Sequence, residues 1–231
     1  MLQIPDILAY VKRPVLRAER EKFTPYHLWQ LVTLCVFIAI FVSIVLSYFF
    51  AAMGIENPAT AEELAREKWT PRELLTIIVI APIVEELIFR SWLGNKKSII
   101  YFFPAFLLLV LIFGLILVKY DAVATALWIS LLATDIYIIS LWRKGFRPVH
   151  QRLSDAYFPY IFWSSAIIFG LIHVGNFPSG YAFPVLVLMV MPQMIAGFVL
   201  GYTRIRFGLM ACILLHGFYN ATVTLLGNML T

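Results

Sequence analysis

The sequence predicts an all-α fold, a polytopic transmembrane helix bundle with about seven spanning helices. Of its 231 residues, 61% are hydrophobic and only 13% are charged, against about 45–50% and 25% in soluble domains. The charges fall between long apolar runs, and a run of ~20 apolar residues crosses the hydrocarbon core as a helix. These observations favour a membrane bundle over a large soluble core.

The apolar runs divide the chain into a short N-terminal segment, 1–27, and one multispanning membrane domain, 28–231. The predicted spans are 28–53, 73–94, 99–118, 122–142, 157–175, 181–203 and 207–229. The N-terminal segment is expected to be cytoplasmic or interfacial. Its apolar residues lie at helical spacing beside basic ones, so a solvated tail and a helix on the anionic leaflet both stay open.

The second span carries two local signals. Thr70 and Glu73 form a capping box with Pro71 at the first helical position, so the helix should begin near residue 71. Pro82 removes one backbone hydrogen bond and should bend this helix just before Glu85. A third signal lies in the sixth span, where a small-xxx-small pair, Gly197 and Gly201, lets another helix approach closely.

The basic residues orient the bundle. With the N-terminus inside, thirteen Lys and Arg residues outside the spans lie in cytoplasmic segments and four lie in outer segments, while Arg90 stays within a span. This excess predicts a cytoplasmic N-terminus and an outer C-terminus. The net charge of +5 therefore reflects topology, and no nucleic-acid partner is expected. Cys35 and Cys212 lie within spans and are expected to be packing residues without a disulfide.

The second span also contains three charged residues, Glu85, Glu86 and Arg90. Charged groups in hydrocarbon cost at least ~2.5–3.5 kcal/mol each and usually face a bundle interior or a water cavity. Glu86 and Arg90 are four residues apart on one helix face and are expected to pair. Glu85 is turned ~100° from Glu86, so it has to find a partner elsewhere.

Further polar residues lie in the fifth and seventh spans. Phe169 and His173 share one helix face, as do His216 and Asn220, because each pair is spaced i, i+4. Glu85, His173 and His216 each lie ten to fourteen residues from the cytoplasmic end of their span, or ~15–21 Å at 1.5 Å per residue. A shared depth near mid-membrane indicates a common site.

These motifs resemble those of the CAAX-protease and bacteriocin-processing (CPBP) family. Glu85-Glu86-Leu87-Ile88-Phe89-Arg90 matches its EExxxR motif, Phe169-xxx-His173 its FxxxH motif, and His216-xxx-Asn220 its HxxxN motif. The resemblance covers residues 71–229. The CPBP family includes the type II CAAX prenyl endopeptidases. One departure is the stretch of 82 residues between Arg90 and His173, with two additional spans. This stretch leaves the substrate class open.

The resemblance implies hydrolysis of a peptide bond within the membrane. Glu85 would activate water, His173 would hold that water and pass a proton to the leaving amine, and His216 and Asn220 would donate to the oxyanion. Glu86 and Arg90 would be a supporting pair, and Phe169 the supporting residue of its motif. The expected substrate is a membrane-embedded or lipidated peptide, or a leader peptide, in a bacterial or archaeal cytoplasmic membrane.

Two alternatives stay open at this point. The implied mechanism needs no cofactor, but Glu85, His173 and His216 also resemble a catalytic Zn²⁺ set of three ligands. A chain with the same pocket can instead be a non-catalytic bacteriocin-immunity or scaffold protein. A transporter also places ionisable groups in mid-membrane, but no inverted repeat is visible in the sequence.

Overall fold

The computed structural model describes residues 4–16, 19–55, 57, 69–94, 148–177 and 180–230, and every structural statement below concerns these ranges. Within them the protein is all-helical and contains no strand. The predicted spans 99–118 and 122–142 lie outside the described residues.

The described ranges contain the following helical elements in chain order. They are α1 (Ile4–Lys12), α2 (Pro25–Met53), α3 (Pro71–Leu75), a π-helical turn (Thr76–Ile80), α4 (Ala81–Arg90), a 3₁₀ turn (Ser91–Gly94), α5 (Pro148–Leu171), a second 3₁₀ turn (Ile172–Asn176), α6 (Phe183–Met189), α7 (Met191–Arg206) and α8 (Leu209–Leu230).

Three stretches of the described chain are long and apolar enough to cross a membrane: Pro25–Met53, Asp155–Asn176 and Leu209–Gly227. A fourth candidate consists of α6 and α7, which are bent by 47° at the break between them. These helices support an integral membrane protein. The total of seven spans and the orientation of the bundle stay predictions, since the described residues cover only part of the chain.

The sixth predicted span, 181–203, consists of two helices, α6 and α7, and together they stay a candidate for one broken span. The chain breaks at Val190, whose backbone angles are φ −90° and ψ 7°. Pro192 follows within the first turn of α7 and has no N–H with which to continue α6. Proline at the first turn of a helix is well tolerated, so the chain ends one helix and starts another.

The second predicted span begins where the sequence indicated. Thr70 accepts a hydrogen bond from the Glu73 backbone and Glu73 caps the Thr70 N–H in return, with Pro71 at the start of α3. A π-helical turn, Thr76–Ile80, lies immediately before α4 and Pro82, while the bend expected just before Glu85 stays a prediction. This turn splits the segment, and α4 itself has only 10 residues.

The core of the bundle lies around α7. A Cβ on Gly197 would lie 2.9 Å from the Ala166 carbonyl oxygen, and one on Gly201 would lie 2.8 Å from the Phe162 ring. The predicted close approach at this glycine pair is therefore confirmed, with α5 as the partner helix.

Part of the N-terminal segment also packs on the bundle. Ile7 and Tyr10 of α1 are buried, and the Tyr10 ring meets Phe162 and Tyr202 edge-on at centroid distances of 5.6 and 5.3 Å. The Trp163 indole donates to the Val11 carbonyl over 2.7 Å. α1 is thus held against α5 and α7 by direct contacts of its side chains and backbone.

Candidate active site

Glu86 and Arg90 form the ion pair that their i, i+4 spacing predicts. Both side chains are fully buried, and Arg90 Nη1 donates to Glu86 Oε1 over 2.8 Å. The Arg90 guanidinium carbon lies 4.0 Å from the centroid of the Phe169 ring, within the range of a cation–π contact. Phe169, expected only as part of a motif, thus supports the cation of this pair from α5.

Glu86 has two more partners, both on α8. His216 Nδ1 lies 2.9 Å from Glu86 Oε1, and Cys212 Sγ donates to Glu86 Oε2 over 2.8 Å. From the sequence, Arg90 was the only predicted partner of Glu86, and Cys212 was predicted to be a packing residue. The available signal was spacing: Cys212, His216 and Asn220 recur every four residues and therefore share one face of α8.

Glu85 differs from its neighbour in being largely unbonded. Its side chain is 23% exposed, and Oε2 lies 3.8 Å from His216 Nε2, too far for a hydrogen bond. That oxygen is itself shielded from solvent and has no hydrogen-bond partner among the described residues. One carboxylate of the Glu-Glu pair is therefore held by three groups, while the other faces the His216 ring with a free acceptor.

His173 lies in the 3₁₀ turn that follows α5. Its Nδ1 is 2.7 Å from the Phe169 carbonyl oxygen, and a carbonyl can only accept, so Nδ1 carries the hydrogen in the neutral ring and Nε2 has the lone pair. The ring interacts electrostatically with Glu85 and His216. His173 therefore lies close to the same charged cluster.

Asn220 lies one turn beyond His216 on α8, and its side chain bonds to the backbone rather than to the charged residues of the cluster. Its Nδ2 donates to the Ile77 carbonyl in the π-helical turn over 2.9 Å. The structure thus groups six of the predicted residues, Glu85, Glu86, Arg90, Phe169, His173 and His216. It places Asn220 at the edge of this group, against the backbone of the helix that carries Glu85.

Two residues that the sequence analysis did not single out hold the other end of α4. Arg204 of α7 donates from Nε to the Arg90 carbonyl over 2.7 Å and from Nη2 to the Ser91 carbonyl over 2.8 Å. Ser165 of α5 donates to the Phe89 carbonyl over 3.1 Å. The carbonyls at a helix C-terminus lack intrahelical donors, and these side chains supply them.

The donor types at the site suit zinc, which binds carboxylate oxygen and imidazole nitrogen. His216 also has an orienting carboxylate, Glu86, of the kind that supports metal-binding histidines. In the described part of the chain, however, no three His, Cys, Asp or Glu side chains are grouped closely enough to hold a metal ion. Glu85, His173 and His216 would have to draw closer together to bind one.

One known family has a model that matches part of the chain. The model of the family described as type II CAAX prenyl endopeptidase Rce1-like matches residues 140–222, which are 83 of the 231 residues. The match includes Phe169, His173, His216 and Asn220 and stops short of the Glu85–Arg90 motif. The match supports an assignment to the CAAX-protease (CPBP) family. Neither the curated proteins nor the solved structures contain a match to this chain.

The same match supports, at the level of the family, a protease of the CAAX type that is embedded in the membrane. The matched residues contain the FxxxH and HxxxN motifs. The EExxxR motif lies outside the match, but the folded chain places it beside the other two. Glu86 and Arg90 lie within bonding distance of groups on α5 and α8, so all three motifs meet in one cluster of the folded chain.

Proposed function

We propose that the protein is an intramembrane endopeptidase that hydrolyses a peptide bond of a membrane-associated peptide, either lipidated or a leader peptide. The observation that carries the proposal is the unequal bonding of the two adjacent glutamates. Glu86 is buried and bonded to Arg90, His216 and Cys212, whereas Glu85 Oε2 has no hydrogen-bond partner in the part of the chain that the structure describes. A carboxylate kept free beside two imidazoles is placed to act as a general base.

In the proposed reaction, a water molecule between Glu85 and His173 attacks the carbonyl carbon of the scissile bond. Glu85 takes one proton from this water, and the lone pair on His173 Nε2 orients it. The tetrahedral species then breaks its carbon–nitrogen bond. The proton held by Glu85 passes to the leaving amine through His173, which returns both side chains to their starting state.

His216 serves as the oxyanion donor in this scheme. Its Nδ1 is bonded to the Glu86 carboxylate, which orients the ring so that Nε2 faces the Glu85 side. Asn220 has a second N–H besides the one bonded to Ile77, and we assign that hydrogen to the same oxyanion. Arg90 balances the charge of Glu86, so that the supporting pair adds no net charge to the site.

Replacement of His216 by alanine tests this role. We expect turnover to fall by ~10²–10³-fold, the usual effect of losing an oxyanion donor, with peptide affinity unchanged because the lost bond forms only in the transition state. Cleavage and binding of a lipidated peptide are measured separately in proteoliposomes. His27→Ala is the control, since His27 lies in the first turn of α2 and bonds to Thr24, and turnover should stay at the wild-type rate.

The same assay separates the metal-free reaction from a zinc enzyme. The proposal predicts cleavage in the presence of a zinc chelator and no zinc in the purified protein by elemental analysis. Loss of cleavage on chelation, with recovery on adding zinc, would assign Glu85, His173 and His216 to a metal site. The immunity or scaffold alternative predicts peptide binding without any cleavage by the wild-type protein.

A further inference from the structure

The helix that carries Glu85 has a break in its backbone hydrogen bonding. In the π-helical turn, the Ala81 N–H donates to the Thr76 carbonyl five residues back. The next donor in this pattern is residue 82, and proline has no N–H. The Ile77 carbonyl therefore receives no bond from Pro82. A backbone acceptor left without a donor in hydrocarbon costs several kcal/mol, so another element has to supply one.

The α8 helix supplies the missing donor. Asn220 Nδ2 donates to the Ile77 carbonyl over 2.9 Å. One turn earlier on the same helix, a Cβ on Gly217 would lie 2.8 Å from the Ile78 carbonyl oxygen. That distance is too short for any side chain, so glycine is what lets α8 lie against the π-helical turn. Two consecutive carbonyls of the turn are thus covered by two residues of one helix.

This contact connects the two helices whose side chains meet at the site. Glu85 follows Pro82 by three residues, and His216 directly precedes Gly217. A shift of α8 along its axis, or recovery of ordinary α-helical spacing in the turn, would change the distance between Glu85 and His216. The bond from Asn220 opposes both movements, because it is directional and joins α8 to the turn itself.

We propose that Asn220 is a positioning residue: its side chain replaces the hydrogen bond that Pro82 removes and so holds Glu85 in register with His216. The consequence for turnover rests on the proposed function, whereas the contact with the helix backbone does not. This role uses one N–H of the amide and is separate from donation to an oxyanion, which uses the other.

A second change at Pro82 distinguishes the two roles. Alanine at position 82 has a backbone N–H that can donate to the Ile77 carbonyl, as Ala81 does to Thr76. Asn220→Ala should lower kcat on the order of 100-fold through a displacement of about 1 Å in the active site, in addition to the loss of an oxyanion donor. In Pro82→Ala/Asn220→Ala, kcat should rise well above that of Asn220→Ala, because the N–H gained at position 82 restores the bond to Ile77, and should stay below that of Pro82→Ala by the lost oxyanion donor alone.

Pro159 provides the matched control. It also lies inside a helix, α5, but on a different element from the Asn220 contact. Pro159→Ala/Asn220→Ala should keep the full defect of Asn220→Ala. A double variant at position 82 that is as slow as Asn220→Ala itself would overturn the positioning role and leave Asn220 as an oxyanion donor only.

Hydrogen–deuterium exchange of residues 76–85 provides a readout that does not require activity. Asn220→Ala should raise exchange in this segment, and Pro82→Ala should restore protection in the double variant, in detergent and without any peptide. Unchanged exchange in Asn220→Ala would contradict the proposal even in an active enzyme. If protection is restored in the double variant but the wild-type protein cleaves no peptide, the contact is upheld and the proposed protease function fails.

Discussion

Glu85→Gln is expected to abolish peptide cleavage while the protein keeps its fold. Glutamine has nearly the shape of glutamate but cannot take a proton from water, and a general base contributes ~10²–10⁴-fold to a rate. The fold should keep its stability, because Glu85 Oε2 makes no hydrogen bond to any described residue and the side chain is partly exposed. We therefore expect normal thermal unfolding and normal peptide binding.

The measurement compares cleavage rate, peptide affinity and thermal unfolding of wild-type and Glu85→Gln protein in the same detergent. Glu19→Gln is the matched control, since Glu19 is an exposed carboxylate in the N-terminal segment and its loss should leave the cleavage rate unchanged. Cleavage by Glu85→Gln at the wild-type rate would contradict the assignment of Glu85 as the general base.

Glu86→Ala and Arg90→Ala should each destabilise the protein by ~3–5 kcal/mol, the usual cost of breaking a buried ion pair from one side. Both side chains are fully buried, so the remaining charge has no water to solvate it. Glu86→Ala has an added cost, because His216 and Cys212 also lose their acceptor. The free energy of unfolding in denaturant, or the melting temperature, reports the loss.

A charge-free pair identifies the cause of that loss. Glu86→Leu/Arg90→Met removes both charges together and fills similar volume, and such replacements of buried pairs are often neutral in stability. The double variant should therefore be more stable than either alanine variant, although catalytically impaired through His216. Equal instability of all three variants would mean that packing, rather than an unpaired charge, governs the defect.

Features set by local spacing could be predicted from the sequence. The capping box at Thr70 and the pair Glu86–Arg90 each depend on residues three or four apart on one helix. The close approach at Gly197 and Gly201 likewise follows from small residues on one face. Such patterns determine helix ends and same-face contacts without knowledge of the neighbouring helix.

Hydrogen bonds between side chains on different helices could not be predicted from spacing within one helix. The bonds from His216 and Cys212 to Glu86 depend on how α8 lies against α4, and sequence spacing within one helix does not fix that register. Asn220 was expected to face an oxyanion, yet one N–H goes to Ile77, because Pro82 leaves a carbonyl without a donor. The bend between α6 and α7 was missed because apolar composition alone does not distinguish a straight span from a broken one.

The central claim is that water activated by Glu85 attacks the peptide directly, without a covalent intermediate. A single turnover in oxygen-18-labelled water, quenched with acid and analysed by mass spectrometry of both peptide and protein, tests it most directly. The account predicts one heavy oxygen in the new carboxylate and an unchanged protein mass. A protein that carries the acyl fragment, for example on Cys212, or a peptide without a new carboxylate, would contradict it.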